Sequence, residues 1–199
     1  AGYITTADKI PDSPRLFISK NKNKISSSVQ EKVQTLTKKE TVIKGRVWVI
    51  PVDNIDTDMI FHNRYLTITN ASEMGQYTFD NLAGYEDFAR KVRKGDIILT
   101  GRNFGCGSSR QQAVDCFLAL GIQAIIAGSF GAIYERNAIN AALPVLVTNT
   151  NDLSGIENGD MVTVDFISGR ITLSNSGKEF FAEPFSDVQY EIYCRGGLL

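Results

Sequence analysis

From Thr41 onward the chain alternates apolar runs of strand length with amphipathic stretches of helix length. The segment "TVIKGRVWVIP" at 41–51 alternates apolar and polar positions and is rich in β-branched residues, which predicts a half-buried strand. "GDIILTG" (95–101), "IQAIIAG" (122–128) and "PVLVT" (144–148) are short, continuous and apolar, as strands buried on both faces are. Between them, Ala113, Phe117 and Leu120 recur at i, i+4 and i+7 with Val114 and Leu118 beside them, predicting a helix from about Ser108 to Leu120. A second helix is predicted from about Ala132 to Ala142, and helical patterns also run from Ser72 to Leu82 and from Gly84 to Val92.

The order strand, helix, strand, helix, strand requires crossover connections, so the expected fold class is α/β, a mostly parallel sheet flanked by helices. After Gly159, "DMVTVDF", "GRITLSN" and "KEFFAE" are short strands separated by Gly, Asn and Ser, which predicts a small antiparallel β appendage. Residues 20–40 are polar and lysine-rich and cannot bury enough apolar surface to offset the entropy of ordering. The expected organisation is an N-terminal segment and linker over 1–40 and a folded domain over 41–199.

Composition narrows the function. With 199 residues and 43% hydrophobic content the chain can build one sizeable core. Its 21 basic and 22 acidic side chains leave a net charge of -1, without the long-range field of a nucleic-acid or anionic-membrane binder. No apolar run reaches the ~20 residues of a membrane span, and the N-terminus lacks a secretory pattern, so a cytoplasmic protein with a small-molecule or protein partner is expected. Cys106, Cys116 and Cys194 are odd in number and show no C-x-x-C spacing, so no disulfide framework and no complete metal site is expected within this chain. His62 is the single histidine, which excludes multi-histidine metal centres. The chain begins Ala-Gly rather than Met, as a processed chain or an excised fragment would.

The candidate chemistry is concentrated in "GRNFGCGSSRQQAVDCFLALG" at 101–121. A helix starting at Ser108 would place Ser108, Ser109 and Arg110 at the carboxyl ends of parallel strands, with free backbone N–H groups facing an anion. Gly107, like Gly105, removes a Cβ where a ligand must come close. Ser108 is open to two readings, a helix N-cap or a base or nucleophile, and Arg110 has the fork to clamp a carboxylate. A nucleotide-binding module is the alternative of another class. It is weakened because the loop lacks the lysine of a P-loop and "IIAGSFGA" offers no acidic residue for a ribose. Cys106 reads as a small residue tolerated between glycines, Cys116 as a packing residue, His62 as a surface or packing histidine, and Tyr134, Glu135 and Arg136 as a helical segment with a structural ion pair.

Together, "DNIDTDMIFHNRYL" (53–66) and "GRNFGCGSSRQQAVDCFLALGIQAIIAGSFGAIYERNAINAALPVL" (101–146) resemble the swivelling domain of the aconitase superfamily. That domain occurs as the C-terminal domain of aconitases and as the small subunit of 3-isopropylmalate dehydratase. The resemblance implies a hydro-lyase that isomerises a hydroxy-polycarboxylate by dehydration and rehydration. It implies a [4Fe-4S] cluster held by the partner, a cluster-bearing large subunit or fused N-terminal domains, and not by this chain. It further implies that Ser108 is the base taking the substrate's α-proton and that Ser109 and Arg110 bind a carboxylate of a di- or tricarboxylate substrate. Asp58 would orient a catalytic histidine of the partner, and Arg64 is a further candidate for a carboxylate. Two departures stand out: Gln111 and Gln112 replace the Glu-His common after the arginine, and Thr67 stands where homoaconitate-using relatives tend to carry a second arginine. The opening "AGYITTADKI" is similar to the closing segment of the cluster-bearing subunit, which tilts the expected activity toward aconitate hydratase, with 3-isopropylmalate dehydratase as the alternative.

Overall fold

The computed structural model describes residues 39–149 and 153–198. The expected N-terminal segment and linker therefore lie almost entirely outside the described residues. The chain builds β1 (Val42–Ile50), the short helices α1 (Thr57–Ile60), α2 (Ala71–Met74) and α3 (Phe88–Lys91), β2 (Ile97–Thr100), α4 (Gln112–Leu120), β3 (Ala124–Ala127), α5 (Ala132–Asn140) and β4 (Val145–Val147). Three further strands, β5 (Met161–Asp165), β6 (Arg170–Leu173) and β7 (Glu179–Phe181), precede α6 (Asp187–Arg195).

All seven strands belong to one sheet in the order β4-β3-β2-β1-β5-β6-β7. β1 joins its two halves. Val47–Ile50 pair in parallel with Ile97–Thr100, whereas Val42–Arg46 pair antiparallel with β5. The antiparallel strands thus extend the parallel sheet through β1. One face carries Ile50, Ile98, Ile125 and Val145 against α4 and the aromatic residues Phe79, Phe88, Phe104 and Phe117. Along the other face, Ile43, Val47, Ile97, Leu99, Ile126 and Leu146 meet Val162, Val164, Ile171, Leu173 and Phe180 from the antiparallel strands in a second core. The sheet curls because strand alternation delivers one face of every strand to that core.

Three expected helices are shorter than their patterns. Over Ser72–Leu82 the structure has α2 and a 3-10 turn at Gly75–Tyr77, and then Phe79 takes a positive φ of 62°. That conformation sends the Phe79 ring, fully buried, among Phe88, Phe104 and Phe117, so tertiary burial overrides helical propensity there. The pattern over Gly84–Val92 is helical only in α3. α4 starts at Gln112, four residues after Ser108, and Ser108 is not its cap: the capping position is Gln111, without a side-chain bond. α6 has weak amphipathicity and no sequence expectation, although its Ser186-x-x-Gln189 start, in which the Gln189 N–H donates to Ser186 Oγ at 3.2 Å, is a capping signature.

Candidate active site

Three loops leave the carboxyl ends of β1, β2 and β3 side by side, the usual ligand edge of a parallel sheet. Their backbones stay zipped beyond the strands. The Asn54 N–H donates to Arg102 O at 2.8 Å, Gly105 N–H to Ile55 O at 2.7 Å, Phe104 N–H to Ser129 O at 3.0 Å and Gly131 N–H to Phe104 O at 2.8 Å. Asn54 and Asn103 both adopt left-handed backbone, with φ of 58° and 57°, and are tied by Asn103 Nδ2 donating to Asn54 Oδ1 at 2.8 Å. Asparagine tolerates that region better than other residues with a Cβ, which explains its use on two adjacent turns.

Gly105 sits at φ 72° and an added Cβ would lie 2.1 Å from Tyr134 Cγ, so the loop lies directly on the buried Tyr134 ring. Gly107, exposed at φ 92°, turns the chain outward just before the serines. Thr57 grips both sides of that turn. Its N–H donates to Cys106 O at 3.0 Å and its Oγ1 donates to Ser108 O at 3.0 Å. In a helix beginning at Ser108 that carbonyl would accept from the amide four residues on. Thr57, only 2% exposed, takes it instead, and this is the physical reason α4 starts late. Ser108 and Ser109 are left exposed on an anchored loop, their hydroxyls unengaged by any described residue. The expectation that Ser108 heads a helix and faces its free amides is corrected accordingly.

Arg110 and Asp58 form a direct ion pair through Arg110 Nη1 and Asp58 Oδ1. The guanidinium is largely buried, with 14% of the side chain exposed, and Nη1 also donates to Phe61 O at 3.4 Å. Asp58 Oδ1 accepts a second bond from the Asn63 N–H at 3.0 Å. Arg110 chiefly, with that amide, holds the Asp58 carboxyl below its usual range against the opposing effect of burial. Among the described residues the Nε and Nη2 edge of Arg110 has no partner, so a fork remains for a second carboxylate. Asp56 has a structural task, capping α1 by accepting from the Met59 N–H at 2.8 Å.

The structure thus brings Ser108, Ser109 and Arg110, on the loop after β2, together with Asp58 on α1, with Gly107 as the turn. Arg64 is engaged elsewhere, bonded to Asp80 Oδ2 at 2.8 Å and stacked over the Tyr65 ring at 4.9 Å. His62 caps the turn at Asn63–Tyr65, its Nδ1 accepting from the Arg64 N–H at 3.1 Å. Gln111 donates to Asp115 Oδ1 at 2.9 Å, a helical i,i+4 bond. Glu135 forms no ion pair among the described residues, and burial, with Glu183 nearby, pushes its carboxyl up; Tyr134 instead donates its hydroxyl to Ala113 O at 3.3 Å. Sequence reasoning missed Thr57, whose only local signal was a polar β-branched residue between two aspartates.

The cysteines do not make a cluster site. Cys106 is half-buried in the loop, Cys116 is buried with its thiol pushed up to about 12 by desolvation, and no group of three or more His, Cys, Asp or Glu among the described residues is placed to hold a metal. These residues do not fit an iron-sulfur cluster. No helix among them is long and apolar enough to cross a membrane.

An exposed serine pair lies beside a fixed arginine-aspartate pair at the carboxyl edge of a parallel sheet, the usual ligand position of an α/β enzyme domain. The family model for the aconitase C-terminal domain matches residues 17–150, and the chain belongs to that family, as a component of a hydro-lyase. It is 44% identical over 160 residues to the methanogen homoaconitase small subunit of Methanothermobacter thermautotrophicus, covering 80% of this chain and 90% of that one. It is 44% identical over 147 residues to the 3-isopropylmalate dehydratase small subunit of Caldicellulosiruptor bescii, covering 74% and 87%. A crystal structure of 3-isopropylmalate dehydratase from Methanocaldococcus jannaschii superposes with a TM-score of 0.72 at 39% identity, covering 79% of this chain and 90% of that one.

Proposed function

We propose that this chain is the small-subunit component of a dehydratase acting on a 3-isopropylmalate-type dicarboxylate, completed by a larger partner that carries the [4Fe-4S] cluster. The observation that carries the reading is the Asp58–Arg110 pair locked beside exposed Ser108, together with relatives that bear the 3-isopropylmalate dehydratase name. Ser108 takes the proton α to a carboxylate. The hydroxyl leaves the neighbouring carbon, a double bond forms between the two, and water returns in the opposite sense to give the isomer. The open edge of Arg110, with the Ser109 hydroxyl, holds a carboxylate, and the guanidinium's charge favours the Ser108 alkoxide. Asp58 fixes the fork of Arg110, and facing the partner it orients the histidine that the family resemblance implies.

Substrate choice is argued from the 64–68 loop. Arg64 is neutralised by Asp80, Leu66 is exposed and Thr67 supplies no charge, so this loop favours an apolar branch over a third carboxylate. That supports 3-isopropylmalate over the citrate-type reading, and over homoaconitate despite the name of the Methanothermobacter relative. The test is reconstitution with the cluster-bearing partner and turnover on 3-isopropylmalate, citrate and homoaconitate. We expect kcat/KM for 3-isopropylmalate to exceed the others by about a hundredfold, since an unpaired buried carboxylate is costly; a preference for either tricarboxylate overturns the assignment.

A further inference from the structure

A cleft of about 480 Å³ opens at the amino end of β2, and Arg46, Trp48, Arg90, Lys91, Arg93 and Asn158 line it. Four of these are cations, in a chain whose net charge is -1. The one carboxylate at the base, Asp96, is buried and already committed. It accepts from Arg46 Nε at 3.2 Å and Nη2 at 2.6 Å, from Trp48 Nε1 at 2.8 Å and from the Arg93 N–H at 2.9 Å.

These bonds fix Arg46 rather than consume it. Nη2 is completed by Lys91 O at 3.3 Å, the guanidinium carbon lies 5.5 Å from the Trp48 ring centroid, and Nη1 has no partner among the described residues. With 26% of its side chain exposed, Arg46 presents a free, oriented N–H edge to the cleft. Arg90 and Arg93 are exposed and enter no ion pair among the described residues, while Lys91 is paired with Asp87 at 2.5 Å. A guanidinium held by a buried carboxylate loses little freedom on binding, and unpaired cations gathered around a concavity repel one another until an anion enters.

We infer that this cleft binds a multiply charged oxyanion of the phosphate or pyrophosphate class. The site is separate from the Ser108 loop and does not rest on the proposed activity. Trp48 is the only tryptophan in the chain, so its emission reports on the cleft directly. The full chain is titrated with inorganic phosphate and with pyrophosphate at constant ionic strength, with sodium chloride as the matched control. A saturable change with half-saturation below about 1 mM is expected. It should weaken at least about tenfold in the Arg90→Ala, Arg93→Ala double variant, the loss of roughly one charge-assisted contact. Both residues are exposed, so circular dichroism should confirm an unchanged fold. An equal response to chloride, no saturable response, or full retention in the double variant overturns the inference. A response confined to an acidic polypeptide such as polyglutamate also overturns it, making the cleft a protein-docking surface instead.

Discussion

Arg110 and Asp58, fifty-two positions apart in sequence, are joined in an ion pair that ties the loop after β2 to the short helix after β1. The pair sets predicted consequences for binding. Arg110→Lys keeps the charge but not the planar fork, so KM for the reconstituted enzyme should rise about 10- to 100-fold. Asp58 is held below the usual carboxylate range, chiefly by Arg110, so it stays ionised through that range and loses its charge only as pH falls through its lowered value. The wild-type KM should accordingly turn upward only in more acid solution. Asp58→Asn should raise KM at all pH values and abolish that acid turn, as KM measured against pH will show.

Thr57 bonds the carbonyls on both sides of Gly107 and is nearly fully buried. Thr57→Val keeps the shape and removes the bond to Ser108 O. We expect kcat to fall about 10- to 100-fold, the scale of a displacement near 1 Å, with KM changing little. Thr57→Ser, which restores a hydroxyl, should recover most of the rate; equal losses in both variants would mark a packing role instead.

Gly105→Ala places a Cβ 2.1 Å from Tyr134 Cγ at a φ of 72°. Overpacking and left-handed strain together should cost about 2–4 kcal/mol. Thermal unfolding should show a Tm lower by roughly 5–15 °C for a domain of this size. By contrast, a Cβ at Gly107 meets nothing closer than 3.6 Å, so Gly107→Ala should cost less, through its φ of 92° alone.

The sheet was legible because continuous apolar runs such as 97–100 and 124–127 need no partner to be recognised, and both became fully buried strands. What was not legible depends on contacts between distant residues. The start of α4 is decided by Thr57, and the end of the 72–82 helical pattern by the burial of Phe79 among rings from three other segments. In the candidate site, the residues Ser108, Ser109, Arg110 and Asp58 were readable through the paired motifs. Their chemistry was not: that Asp58 bonds Arg110, and that Arg64 turns to Asp80, are facts of geometry with no local sequence signal.

The central claim is that Ser108 is the proton-transferring group. Its most direct test is the turnover number of Ser108→Ala in the enzyme reconstituted with its cluster-bearing partner. Because Ser108 is exposed and its side chain bonds nothing described, the variant should fold as the wild type does. Removal of a general base predicts a fall in kcat of about 10²- to 10⁴-fold with KM within a few-fold of wild type. Turnover within a factor of about three of wild type would contradict the account and assign the proton to another group.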